Sequence, residues 1–262
     1  MIRSFLLAAC LSAFPALAFE GIIDMKMSGS GGTKDQKQQM NGTGTLTIKG
    51  LNSRFETVMS LPGMTAPTKM AVVHKASEPN VTYMFYEATK TYHRLDTKDD
   101  AAGDRESATR YTVKRLGKDT VAGRATEHVL ITREGGEDTE VWVDRNLVSA
   151  GDLEKAFSAG NRPGAWWSAL KKEGVAGVPL KVVSKSKDGG NRGYMEATRV
   201  QAKSVSSSDF EIPAGYTESK GGMGAFTPQQ RDEMMKKAME RMTPEQRQKM
   251  EEMMKQRSGS GQ

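Results

Sequence analysis

From residue 19 to about residue 212, short segments with alternating apolar and polar positions, or with clustered β-branched residues, recur between breaks rich in Gly, Asn, Asp and Ser. A period of two sends successive side chains to opposite faces of an extended backbone, so each segment is a candidate strand. The first group covers residues 21–27, 44–49, 54–59, 69–74 and 81–86, and the second covers 110–115, 128–132, 139–144, 180–184 and 194–200. Many short strands at this spacing, with no helix between each pair, predict a mainly β (α+β) domain built on a curved antiparallel sheet, half-barrel or barrel.

Two stretches break the pattern. Residues 29–39, Gly-Ser-Gly-Gly-Thr-Lys-Asp-Gln-Lys-Gln-Gln, read as a polar hairpin loop. Residues 153–157 and 165–172 have helical character and predict a helical pair able to cover one face of the sheet. Beyond Ile212-Pro213 the composition changes again: 217–226 is a glycine-rich link, 227–257 a charged, methionine-rich helical tail, and 258–262 a disordered end. The tail repeats after sixteen residues, with Thr227 and Thr243 as N-caps, Pro228 and Pro244 at the first helical position, and Gln230 and Gln246 completing capping boxes. Pro244 breaks or kinks what would otherwise be one helix.

Residues 1–18 have the layout of an export signal: cationic Arg3, an apolar run too short to cross a bilayer, and the small-x-small site Ala16-Leu17-Ala18. Cleavage after Ala18 makes the domain 19–216 the start of a periplasmic or secreted chain. The rival reading takes Leu7-Ala8-Ala9-Cys10 as a lipidation site and anchors the chain to a membrane through Cys10, although the apolar run continues past that residue. Cys10 is the sole cysteine, so a chain cut after Ala18 has no disulfide, thiolate nucleophile or thiolate metal ligand. No transmembrane segment is expected in the mature chain.

Loss of Arg3 lowers the formal charge from +6 to +5, with 37 basic groups against 32 acidic ones. The excess is spread along the chain with no basic block interleaved with aromatics, which argues against a nucleic-acid partner. His74, His93 and His128 are far apart and read as sheet-face histidines rather than metal ligands. No nucleophile elbow, phosphate-binding loop or zinc helix is present, and Asp99-Asp100 reads as a loop tip. Catalytic residues, metals and cofactors are therefore not assigned. An enzyme would need a pocket that gathers a histidine with a carboxylate or hydroxyl.

Methionines and aromatics remain. Met235, Met239 and Met242 fall at i, i+4 and i+7, and with Met250 and Met253 they form an adaptable apolar face for a protein partner. Thioethers also suit Cu(I), a remoter alternative. Tyr83 and Phe85 share one strand face, and Trp142 points away from the face of Val141 and Val143. Trp166 and Trp167 are adjacent on a helix, so one packs on the sheet while the other borders a cavity or solvent. Tyr83, Phe85, Trp166 and Trp167 are the candidate ligand-binding set.

Lys118-Asp-Thr-Val-Ala-Gly-Arg-Ala-Thr-Glu-His128, Glu140-Val-Trp-Val-Asp144, Gly177-Val-Pro-Leu-Lys181 and Ser208-Asp-Phe-Glu-Ile-Pro-Ala-Gly-Tyr216 follow one another in an order that resembles the exported bacterial domain of unknown function 4412 family. That family is similar in pattern to periplasmic lipoprotein carriers of the LolA and LolB type. The resemblance covers about residues 20–216 and implies a half-barrel whose concave apolar face is covered by helices, a cavity that holds acyl chains in the carriers. Phe226-Thr-Pro-Gln-Gln230 and Met242-Thr-Pro-Glu-Gln246 resemble, weakly, the Leu-Thr-x-x-Gln helices of small periplasmic chaperones.

The leading expectation is a non-enzymatic envelope protein that holds a lipid or lipoprotein acyl chain between sheet and helix. The alternative is an envelope protein-interaction or chaperone-like module acting through the methionine-rich tail.

Overall fold

The computed structural model describes residues 19–31, 38–60, 66–96, 110–136, 138–149, 165–185 and 191–219. The expected leader with Cys10 and Ala18, the expected loop tip at Asp99-Asp100, the expected helix at 153–157 and everything from residue 220 on, including the expected tail 227–257, lie outside the described residues.

The sheet is built from β1 (Glu20–Gly31), β2 (Gln38–Lys49), β3 (Asn52–Ser60), β4 (Thr68–His74), β5 (Val81–Tyr86) and β6 (Thr91–Asp96). A second run follows with β7 (Tyr111–Val121), β8 (Arg124–Arg133), β9 (Asp138–Asp144), β10 (Val178–Lys185) and β11 (Asn191–Ala202), and β12 (Thr217–Glu218) ends it. One helix, α1 (Ala165–Lys172), lies between β9 and β10 among the described residues.

All twelve strands form one sheet in the order β12-β6-β5-β4-β3-β2-β1-β11-β10-β9-β8-β7. The chain thus meanders outward from β1 to β6, crosses to the far edge at β7, and meanders back until β11 docks against β1. Every pairing is antiparallel except the short parallel one between β12 and β6. The sheet is curved but stays open, with β12 and β7 at its two edges, so the barrel expectation is corrected. Bulges opposite Asp24/Met25, between Pro179 and Lys181, and between Arg115 and Gly117 bend the strands. Pro179, which has no N–H for a ladder, sits beside one of them.

Register sorts the side chains. Ile23, Leu46, Phe55, Val72 and Met84 are cross-strand neighbours on one face, and Val200 continues that row onto β11. Val141, Val182 and Val129 extend the same face to β8. Trp167 and Leu170 of α1 bury themselves in the core that includes Ile23, Val129 and Val141. The helix closes with a Schellman turn: Val175 N–H donates to Leu170 O (2.9 Å) and Gly174 N–H to Lys171 O (2.9 Å), with Gly174 at φ +66°.

A second core lies on the opposite face of the β4–β6 end. There Ala71, Val73, Tyr83 and Phe85 are covered by Val205 and Phe210, from the segment that follows β11 and contains a 3-10 turn over Ser207–Phe210. The sheet is therefore capped on both faces, by α1 at one end and by its own C-terminal segment at the other.

Three elements depart from the sequence expectation. β1 and β2 run on to Gly31 and back from Gln38, so the expected loop 29–39 shrinks: pairs such as Ser28–Asn41 and Gly29–Met40 extend the ladder through half-buried or exposed residues with no core alternation to mark them. β6 carries no alternation that marks it, since its last three residues are exposed. Thr217–Ser219, assigned to the link, hydrogen-bonds to β6 through Thr217 N–H to Lys90 O (3.0 Å) and Ser219 N–H to Tyr92 O (2.8 Å).

Candidate functional site: an apolar cavity under the helix

The strands beneath α1 end in a cavity of about 710 Å³. Its floor is Tyr111, Ile131, Val141 and Val182, one side chain from each of β7 to β10, and Trp166 of α1 lines it from the helix. The floor follows from period-two alternation, because register places Ile131, Val141 and Val182 on the face that meets α1. Trp167 is 1% exposed and packs into the core, while Trp166 stays half-buried with its ring at 83° to its neighbour. The division of labour expected for the two tryptophans is the one observed.

Two guanidinium groups stand at the cavity, Arg133 at the end of β8 and Arg192 at the start of β11. Arg133 is exposed and makes no ion pair among the described residues. Its alkyl chain lies over Gly136, where an added Cβ would fall 2.6 Å from Arg133 Cδ. Arg192 also lines a neighbouring cavity of about 490 Å³ together with Ser28, Ser30, Gln39 and Tyr194. The larger cavity, with its apolar floor and few polar groups, fits the usual description of a small-molecule site.

The same sheet face carries every methionine of the described strands. Met25, Met27 and Met195 are neighbours of the Ile23 row, and Met40, Met59, Met70 and Met84 continue it. Glycines make room for them: an added Cβ at Gly42 would sit 2.4 Å from Met59 Sδ, and one at Gly44 2.9 Å from Phe55 Cε2. Unbranched thioethers lying over glycine backbone make this face adaptable.

The structure does not bring the four candidate ligand-binding residues together. Tyr83 and Phe85 are on the opposite face, 5% and 2% exposed, under the chain's own C-terminal segment, whereas Trp166 and Trp167 are on α1. Burial and the O–H donated to Glu78 (2.7 Å) push the Tyr83 phenol up, and its ring stacks on Phe85 at 6.3 Å. The motif at 208–216 supplies this cover: Phe210 is 2% exposed, and Glu211 pairs with Lys75 at 2.8 Å. The candidate methionines 235, 239, 242, 250 and 253 lie outside the described residues.

All three histidines are on the sheet. His74 Nδ1 lies 3.3 Å from Thr82 Oγ1, and burial pushes its pKa down. His93 stands edge-on to Tyr86, ring centroids 5.4 Å apart, with Nε2 buried and no hydrogen-bond partner among the described residues. His128 stacks on Trp142 at 3.9 Å and meets Glu140 at 2.8 Å. That histidine–carboxylate pair is not part of the cavity lining. It faces away from the cavity, Glu140 is also held by Lys185 at 2.6 Å, and Lys185 more than His128 holds its carboxyl below the usual range. The Trp142 indole N–H donates to Asp119 Oδ2 (2.8 Å), and Lys181 lies 4.5 Å from the ring centre, so polar side chains surround a buried indole. Among the described residues no three of His, Cys, Asp and Glu converge on a metal position, and no helix is long and apolar enough to cross a membrane.

Sequence reasoning missed Arg133, Arg192 and the floor residues, because each is an ordinary strand residue until register aligns it with the others.

Among solved structures, the chain is similar to an uncharacterized conserved protein from Thermus thermophilus (8% identity, TM-score 0.42, 76% of this chain and 90% of that one). It is also similar to the Pseudomonas aeruginosa MucA/MucB complex structure (13% identity, TM-score 0.38, 76% and 58%). A third is a putative outer membrane lipoprotein-sorting protein domain from Vibrio parahaemolyticus (11% identity, TM-score 0.29, 73% and 89%). No curated protein matches the chain by sequence. Residues 19–216 match the family model of the domain of unknown function DUF4412, and the chain belongs to that family.

Proposed function

We propose that this chain is a non-enzymatic protein of the bacterial envelope that holds an apolar ligand, a lipid or lipoprotein acyl chain, between α1 and the sheet. The observation that carries the reading is the cavity of about 710 Å³ floored by Ile131, Val141 and Val182 and lined by Trp166. An apolar chain entering it gains by leaving water, at about 25 cal/mol per Å² of surface covered.

The test is to purify the protein from a bacterial periplasm, extract it with organic solvent and examine the extract by mass spectrometry, with uptake of an apolar fluorescent probe measured in parallel. Lipid in the extract, or probe uptake that lipid reverses, supports the reading. Val182→Trp, which fills the floor, should abolish uptake without altering the circular dichroism of the sheet. An empty extract with no uptake overturns it.

A further inference from the structure

We propose that the ligand is an anionic amphiphile, with its carboxylate or phosphate held by Arg133 and Arg192 and its chain lying on the apolar floor. This rests on the reading above and adds the chemistry of the head group.

The described lining of the cavity contains two guanidinium groups and no carboxylate. Of the carboxylates nearby, Glu134 pairs with Arg110 (4.0 Å), and Glu140, on the other face, with His128 and Lys185. Arginine presents a planar fork of donors that matches a carboxylate or phosphate, and such charge-assisted bonds are the stronger kind. Arg133 is placed for the task by Gly136, whose lack of a Cβ lets the alkyl chain lie flat against the turn.

The chain has somewhere to go. A single cross-strand row leads from Val141 through Val182, Met195, Met27 and Gly42 to Met59. Six strands at about 4.8 Å spacing span roughly 24 Å, enough for a long acyl chain. Arg133, on β8, stands beyond the Val141 end of this path, Arg192 is on β11 with Met195, and apolar, deformable side chains line the path itself. A neutral ligand would use the path and leave both guanidinium groups without a partner from the ligand. An anionic one uses both.

The experiment compares ligands of one chain length, each below its micelle-forming concentration, by calorimetry and by tryptophan fluorescence: a fatty acid, a lysophosphatidic acid, and the neutral monoacylglycerol. Inorganic phosphate is titrated alone. Either anion binding at least tenfold more tightly than the monoacylglycerol supports the proposal, and the tighter of the two identifies the head. Arg133→Gln and Arg192→Gln, both at exposed positions, should erase that preference while leaving monoacylglycerol affinity unchanged and the circular dichroism intact.

Equal binding of all three amphiphiles overturns the anionic head and leaves the apolar-ligand reading standing. Binding of none overturns both. Inorganic phosphate binding as tightly as the amphiphiles overturns the proposal as well, since the chain would then contribute nothing.

Discussion

Tyr216 meets Phe85 edge-on, with ring centroids 5.6 Å apart and ring planes at 77°. The contact joins the end of the family's closing motif to β5, and the Tyr216 O–H donates to Glu87 Oε2 at 2.5 Å. Asp209–Tyr216 is thus a latch over the second core.

Burial first, and then the bond to Glu87, push the Tyr216 phenol up to about 12 from the usual 10. The folded chain holds this proton more tightly than the unfolded one, so the stabilisation is complete below about pH 10 and is lost as pH rises toward 12. Tyr216→Phe should cost about 1 kcal/mol at pH 7 and should reduce the loss of stability in alkali. Urea unfolding at several pH values checks this. Parallel pH curves for the two proteins would rule out the latch as the source of alkaline lability.

Asp144, 1% exposed, closes the Glu-Val-Trp-Val-Asp motif and accepts from Arg124 Nε at 2.7 Å and from the Asn146 N–H at 2.8 Å. Arg124→Ala leaves a buried carboxylate half-satisfied and should cost about 3 kcal/mol, the low end for a broken buried pair because the guanidinium is 39% exposed. Asp144→Asn should cost less, since an amide oxygen still accepts. Calorimetric melting separates them: for a domain of this size each kcal/mol moves the midpoint by about 2–4 °C. Equal midpoints for the two variants would show that losing the charge at Asp144 costs as much as losing its partner, against the expected order.

The β7–β8 hairpin turns on Ala122 and Gly123, at φ +49° and +74°. Both positions of such a two-residue turn need the left-handed region, which Gly and Asn tolerate and Ala resists. Ala122→Asn should therefore stabilise the domain by about 1 kcal/mol with no loss of ligand uptake, because the turn lies outside the cavity lining. A lower melting temperature would show that the Ala122 methyl, packed against the first core, matters more than backbone strain.

Alternation carries information only where a strand has one wet face, and that condition divides what the sequence revealed from what it hid. β4, β5 and β9 alternate or run apolar and could be read, as could α1 from its Trp-Trp-Ser-Ala-Leu run. β6 and the distal halves of β1 and β2 show no regular alternation of buried and exposed positions and could not. The aromatics were visible as residues but not as partners. Tyr83 and Phe85 share a face as expected, yet which face is set by β4–β5 register and by Phe210, far along the chain. Arg133 and Arg192 become one feature only because β11 returns to the sheet beside β10.

The position of β1 at the middle of the sheet shapes how the molecule assembles. Its partner on one side, β2, is its neighbour in sequence, but its partner on the other, β11, is among the last strands to be made. The outward meander can form early from short-range contacts, while the final seam must wait for a long loop to close, the slow kind of step in β proteins. Until then β1 offers a bare row of N–H and C=O groups, a template for any matching strand. The strand most nearly matched is β11 of another copy. Misassembly of this protein is therefore expected as exchange at that seam, two chains each lending the other its returning strand.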